Sequence, residues 1–120
     1  MLQVQRGKRD EKTQGKKDRT FLEMESEVCK ALASPKRIEI LDALKGGERT
    51  VNELAAILDA SKANVSQHLA LMRHTGILKS TRRGSNVYYK VSNPKVIDAC
   101  ALMKEVLLEQ VGKKARRNRW

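Results

Sequence analysis

Between Ser61 and Lys90 the chain carries six basic side chains (Lys62, Arg73, Lys79, Arg82, Arg83 and Lys90) and no Asp or Glu, although fourteen carboxylates stand elsewhere. Scattered cations ordinarily serve as a solvated surface, but cations segregated in this way suit a polyanion, because each can neutralise one phosphate. The start of the same window holds Ser61, Lys62, Ala63, Asn64, Ser66, Gln67 and His68. The amides of Asn64 and Gln67 can pair with the donor and acceptor of an adenine edge, and Ser61 and Ser66 can reach bases or phosphates. Ala63 is small enough to admit close approach to a groove. Arg82 and Arg83 are suited to phosphate or to the minor groove, and Arg73 is a further candidate DNA contact. This is chemistry of recognition rather than of bond-making. The sequence has no Gly-rich phosphate loop, no Ser/His/Asp set on plausible loops and no Cys-x-x-Cys pair, so neither an enzyme nor a cofactor site is expected.

The elements that must position these side chains follow from period and punctuation. Residues 1–17 mix Gln, Gly, Lys, Arg and Asp without an apolar period and read as a disordered basic arm. From Asp18, Phe21, Met24, Val28, Ala31 and Leu32 recur at helical steps. Ser34-Pro35 is a cap followed by a first-turn proline, opening a second helix with Ile38, Leu41 and Leu44 on one face and Gly46-Gly47 at its end. Thr50 with Glu53 three residues on forms a capping box for a third helix, whose apolar contacts come from Val51, Leu54, Ala55 and Ile57. Asp59-Ala60 turns the chain, and Ser61 caps a fourth helix with Val65, Leu69 and Met72 as its buried stripe, ending before Gly76. The period then changes. Ile77-Leu78 and Val87–Val91, separated by Gly84-Ser85-Asn86, read as two strands of a hairpin with Arg82 and Arg83 at its tip. Asn93-Pro94 opens a last helix with the stripe Val96, Cys100, Met103, Leu107 and Val111, which Gly112 should end.

At 120 residues the chain has room for one domain, expected over 18–111, between the arm at 1–17 and a basic tail at 112–120. Of the net charge of +11, the arm holds +4 and the tail +5. Inside the domain, residues 18–60 sum to −3, 61–90 to +6 and 91–111 to −1. The tail cations could each neutralise a phosphate; Trp120 has no assigned role. Neither tail carries a basic amphipathic helix with a bulky apolar face, so a membrane surface is the weaker polyanion. With no run of transmembrane length and no apolar signal core, the expected location is the cytoplasm, where Cys29 and Cys100 would be thiols.

The run Lys30–Leu41, the segments Thr50–Leu58 and Ser61–Leu69, the Gly76-Ile77-Leu78 step and Val87-Tyr88-Tyr89 together resemble the ArsR/SmtB family of winged-helix repressors, over roughly residues 20–110. The resemblance implies a mainly α fold with a β-hairpin wing, a winged helix-turn-helix of order α-α-α-α-β-β-α. It implies a homodimer joined through the first and last helices, with double-stranded DNA as partner and the helix from Ser61 to Thr75 as recognition helix. Two metal sites known in the family have no counterpart. Thr50 and Asn52 stand where one type places a Cys-x-Cys pair, and the last helix offers Asp98, Glu105 and Glu109 but no histidine for the other. Cys29 and Cys100, on the two outer helices, are a candidate thiol sensor. A buried thiol acting as a small hydrophobe is the commoner case. The expectation is therefore a sequence-specific repressor lacking those metal sites, its effector unknown. The alternative is a sequence-independent architectural DNA-binding protein, for which the basic tails argue.

Overall fold

A computed structural model describes residues 11–118, with side-chain surroundings for residues 19–113. Met1–Asp10, the first part of the expected arm, and Arg119 and Trp120, the end of the expected tail, lie outside the described residues. The elements are α1 (Glu11–Ala31), α2 (Pro35–Ala43) running into a 3-10 turn over Leu44–Gly46, β1 (Arg49–Thr50), α3 (Val51–Leu58), α4 (Lys62–His74), β2 (Leu78–Arg83), β3 (Asn86–Val91) and α5 (Lys95–Asn118).

The expected caps form. The Ser34 hydroxyl accepts from the Arg37 N–H at 3.4 Å, with Pro35 in the first turn. The Thr50 hydroxyl accepts from the Glu53 N–H at 3.2 Å while the Glu53 carboxylate accepts from the Thr50 N–H at 2.9 Å, closing the capping box. The Ser61 hydroxyl accepts from the Asn64 N–H at 3.1 Å. Asn93 starts α5, its side-chain oxygen accepting from the Lys95 N–H at 3.0 Å. Between α3 and α4 the turn is made by Asp59 at φ 53°, a left-handed conformation that Asp tolerates, and closed by the Ala60 N–H on the Ala55 carbonyl at 3.0 Å. α4 ends in the same way: Gly76 takes φ 86° and the Ile77 N–H reaches the Met72 carbonyl at 3.0 Å.

Five features depart from the sequence reading. α1 already includes Glu11, the first described residue, so residues 11–17 are helical rather than a disordered arm; Glu, Lys and Gln favour helix even without an apolar stripe. α5 passes through Gly112 to Asn118, because the roughly 1 kcal/mol that one glycine costs is outweighed by good helix formers and by cations at the negative end of the helix dipole. In α2 it is Ile40, not Ile38, that joins Leu41 and Leu44 in the core, and in α3 Leu58 is buried while Ile57 is 52% exposed. A third strand, β1, pairs antiparallel with β3 (Arg49 opposite Tyr89, Thr50 opposite Tyr88), so the sheet order is β1-β3-β2. Finally, the stripe of α5 divides: Val96 and Cys100 pack on the core, whereas Met103, Leu107 and Val111 are exposed.

The core is aliphatic. Ile40, Leu41 and Leu44 meet Leu54, Ala55 and Leu58 from α3, Val65, Leu69 and Met72 from α4, and Ala31, Ile77 and Leu78 from the flanks. Among the described residues no polar or charged side chain is buried there. In contrast, Phe21, Leu22 and Met24 of α1 and Leu102, Met103, Leu107, Leu108 and Val111 of α5 are all more than half exposed. Leu69→Ala should lower unfolding stability by about 2–5 kcal/mol, because it leaves a cavity in a filled core. Thr50→Ala should lower it by about 1 kcal/mol through the lost cap. Urea unfolding at one fixed protein concentration checks both the sizes and their order.

Candidate nucleic-acid interface

The buried stripe of α4 sets what the rest of that helix presents. At about 100° per residue, Ala63, Gln67, Ala70 and His74 lie opposite Val65, Leu69 and Met72. Lys62, Ser66 and Arg73 fall on one flank, and Asn64 and His68 on the other. All are exposed except His68, which is half-buried. The outward row is thus small or amide-bearing in its first two turns, and a groove edge could approach its backbone closely. Ser61 is exposed at the tip, although one acceptor site of its hydroxyl is engaged in the cap.

His68 does not belong with the outward row. Its Nδ1 meets Arg37 Nη1 of α2 at 3.3 Å, and its pKa is held below the ordinary value by burial first, then by the Arg37 and Lys36 charges. Of the residues singled out in the sequence, the structure brings Ala63, Gln67, Ser66, Lys62 and Arg73 onto one continuous surface and turns His68 away from it. His74 and Ala70, not singled out before, share the face of Gln67; their i+3 and i+7 spacing from it was the available signal.

The wing stands beside the Arg73 flank. Arg73 Nη1 donates to Ser80 Oγ of β2 at 3.3 Å, joining helix and hairpin. The turn has two residues, with Gly84 at φ 63° and Ser85 at negative φ, the arrangement of a type II′ hairpin that suits twisted strands. Cross-strand partners sort the wing into two faces. Leu78 with Val91, Ser80 with Tyr89 and Arg82 with Val87 face the core side. Lys79 with Lys90, Thr81 with Tyr88 and Arg83 with Asn86 face outward. Lys79 and Lys90 are exposed and directly opposed, a like-charge pair that is unfavourable until an anion lies over it.

Arg82 is exposed, with no ion pair described for it. Arg83 is engaged at rest: its guanidinium lies 4.4 Å from the centre of the Tyr88 ring and pairs with the Glu48 carboxylate. The segment 61–90 has no carboxylate in sequence, yet Glu48 reaches it in space. Such a partly exposed pair is worth about 0–1 kcal/mol, so a phosphate can displace it at small cost.

Other candidate chemistry is sparse. Thr50 has its hydroxyl in the capping box, and Asn52 is exposed beside it. Among the described residues no group of three or more His, Cys, Asp or Glu side chains is placed to hold a metal ion. Cys29 is exposed on α1, while Cys100 is half-buried, packing on the core and lining a groove of about 140 Å³ between α2 and α5 with Ile38, Leu41 and Ala101; both are free thiols.

A capped helix-turn-helix with an exposed polar recognition face and a cationic hairpin beside it is the architecture of a winged-helix regulator. The comparisons with known proteins agree. A family model described as bacterial regulatory protein, arsR family, matches residues 34–80. The transcriptional repressor SdpR of Bacillus subtilis is 33% identical over 72 residues, spanning 60% of this chain and 80% of SdpR. The transcriptional repressor PagR of Bacillus anthracis is 40% identical over 76 residues, spanning 62% of this chain and 76% of PagR. Among solved structures, the homodimeric winged helix-turn-helix DNA-binding domain of Mb0332 from Mycobacterium bovis superposes with a TM-score of 0.72 at 30% identity, covering 78% of this chain and 87% of that one. The chain belongs to the arsR family of bacterial regulatory proteins.

Removing the carboxylate that holds the wing arginine should strengthen contact with any duplex. Glu48→Gln is expected to tighten binding to scrambled DNA up to about fivefold, the equivalent of an exposed ion pair of about 1 kcal/mol. Arg83→Ala should flatten the log-log salt dependence by about 0.9, one phosphate contact. Fluorescence anisotropy over a salt series reads both; an unchanged slope in Arg83→Ala would remove Arg83 from the interface.

Proposed function

We propose that this protein is a sequence-specific, DNA-binding transcriptional repressor that acts as a homodimer in the cytoplasm and has neither the Cys-x-Cys nor the Asp/His metal site. The observation that carries the reading is a division of labour between adjacent surfaces. The outward row of α4 is nearly uncharged in its first turns, with Ala63 and Gln67, while the cations stand beside it at Lys62, Arg73, Lys79, Arg82 and Lys90. A protein that only coats DNA has no need of an uncharged amide-bearing row at the centre of its basic surface. One that reads base edges does, because amides pair bidentately with adenine whereas cations bind phosphate of any sequence.

In this reading α4 enters a major groove by its N-terminal turns, Gln67 and Asn64 take base edges, and Ser61, Ser66 and Lys62 reach edges or phosphates. Arg73 and the wing hold the flanking backbone, with Arg82 foremost and Arg83 once it exchanges Glu48 for phosphate. The dimer is supported by the apolar side chains that α1 and α5 leave uncovered, from Phe21 at 67% exposure to Leu108 at 63%, since clustered exposed apolar surface marks an interaction site. The same state is stated for the Mycobacterium bovis domain. Two copies of α4 related by a twofold axis would read a palindrome with half-sites about 34 Å apart, and a dimer seated there would exclude polymerase from an overlapping promoter. Among the described residues no helix is long and apolar enough to cross a membrane.

Anisotropy on the protein's own upstream DNA against scrambled DNA tests the reading. A specificity ratio of about 10³ or more fits a repressor; a ratio near one with a steep salt slope would instead favour the architectural alternative that the basic tails suggest. Gln67→Ala should cost about 1–3 kcal/mol on the specific site and nearly nothing on scrambled DNA. Leu107→Asp, placed on the exposed stripe of α5, should yield folded monomer in sedimentation velocity; a persistent dimer would move the interface elsewhere.

A further inference from the structure

We propose that Arg37 and His68 form a positioning pair that sets the roll of α4 about its own axis, and that a proton on His68 releases it and so lowers operator selectivity. The inference rests on the repressor reading above. It goes beyond that reading by assigning a role to two residues off the contact surface.

The apolar stripe of α4 holds the helix down, but dispersion and burial are non-directional and leave its rotation loosely specified. Among the described residues, two side-chain hydrogen bonds tie α4 to other elements, one on each flank: Arg73 to Ser80 of β2 and His68 to Arg37 of α2. Gln67 and Ala63 lie between those flanks, so the two anchors together determine where the reading row points.

Arg37 is itself firmly placed. Its Nε donates to the Ala31 carbonyl at 2.5 Å and its Nη2 to the Lys30 carbonyl at 3.2 Å, the latter also accepting from the Ala33 N–H, so the guanidinium closes over the end of α1. The remaining Nη1 lies 3.3 Å from His68 Nδ1. One guanidinium thus joins the end of α1, the first turn of α2 and the recognition helix, a geometry that a lysine ammonium could not reproduce.

Arginine has no acceptor and stays charged, so His68 Nδ1 must accept, and the imidazole must be the neutral Nε2–H tautomer. A second proton on the ring would place N–H against N–H and add a cation beside Arg37 and Lys36, the two charges that act on it; Glu39 pairs with Lys36 at 3.5 Å, whereas among the described residues no ion pair offsets Arg37. Burial and these two cations hold the folded-state pKa below 6.5. The sign follows from linkage. The unfolded chain takes up the proton first as pH falls, so the stability contributed by the neutral ring is complete above pH 6.5 and is lost as pH falls through the lower folded value. Protonation removes the α2 anchor while adding positive charge near DNA, so discrimination falls while attraction for scrambled DNA is maintained.

Imidazole nitrogen NMR on the free protein, paired with binding to upstream and scrambled DNA at pH 7.5 and 5.5, tests the pair. The expected result is an Nε2–H tautomer with a pKa below 6.5 that rises in Arg37→Gln. The specificity ratio of the wild type should fall at the lower pH, by no more than about tenfold, the most that loss of one charge-assisted hydrogen bond would give. In His68→Gln, whose amide oxygen can accept from Arg37 at every pH, the ratio should stay flat. A His68 titration indifferent to Arg37→Gln, or an equal fall in His68→Gln, would overturn the proposal. Absence of selectivity at every pH would fail the repressor reading and with it the pair's role in operator choice, while the NMR arm would still report whether the link exists.

Discussion

The structure depends on one packing seam, formed where Val65, Leu69 and Met72 of α4 meet the aliphatic side chains of α2 and α3. These three are wholly buried, and no polar side chain among the described residues interrupts the core around them. Burial of each is worth about 1.5–3 kcal/mol relative to exposure, which exceeds anything contributed by the surface ion pairs. Because the seam occupies one side of a short helix, the opposite side is free to be chosen for recognition. Helical phase then puts Gln67 and Ala63 on the outer side and sends His68 toward α2, where the hydrogen bonds on the two flanks settle the remaining roll.

Around that seam the electrostatics are graded rather than uniformly positive. The centre of the reading surface is nearly neutral, its border is cationic, and one carboxylate, Glu48, is placed where it tempers the border. A surface with cations throughout would hold any duplex tightly and dissociate from wrong sites slowly. Opposed lysines on the outer face of the wing work the other way, storing a local repulsion that an anion relieves.

Much of this was legible in the sequence because it is local. Caps at Ser34, Thr50 and Ser61, the stop at Gly76 and the turn at Gly84 each need only three or four neighbouring residues, and all of them form. The stripe of α4 was legible for the same reason. What escaped depends on partners far along the chain or on a balance of small terms. β1 has two residues and exists only because Tyr88 and Tyr89 lie opposite it. Glu48 lies 35 positions from Arg83 and Arg37 lies 31 from His68, and no local pattern announces either pairing. The reach of α1 back to Glu11 and of α5 on to Asn118 is not announced by the sequence, where a glycine and the lack of an apolar period obscure a run of good helix formers. His68 adjoins Gln67 in sequence, but the phase set by Val65, Leu69 and Met72 puts it on a flank, where it meets Arg37.

Thr50 occupies two roles at once, pairing with Tyr88 in the sheet and capping α3 through its hydroxyl. The wing is consequently not a loose flap but a lever whose fulcrum is the first residue of the helix-turn-helix. Any tilt of the hairpin must either break that strand pairing or carry α3, and through the turn at Asp59 the recognition helix, along with it. A duplex must therefore fit wing and helix at one fixed pitch. In the proposed repressor, sequences whose groove width or bendability did not allow that fit would be penalised even at base pairs that no side chain touches.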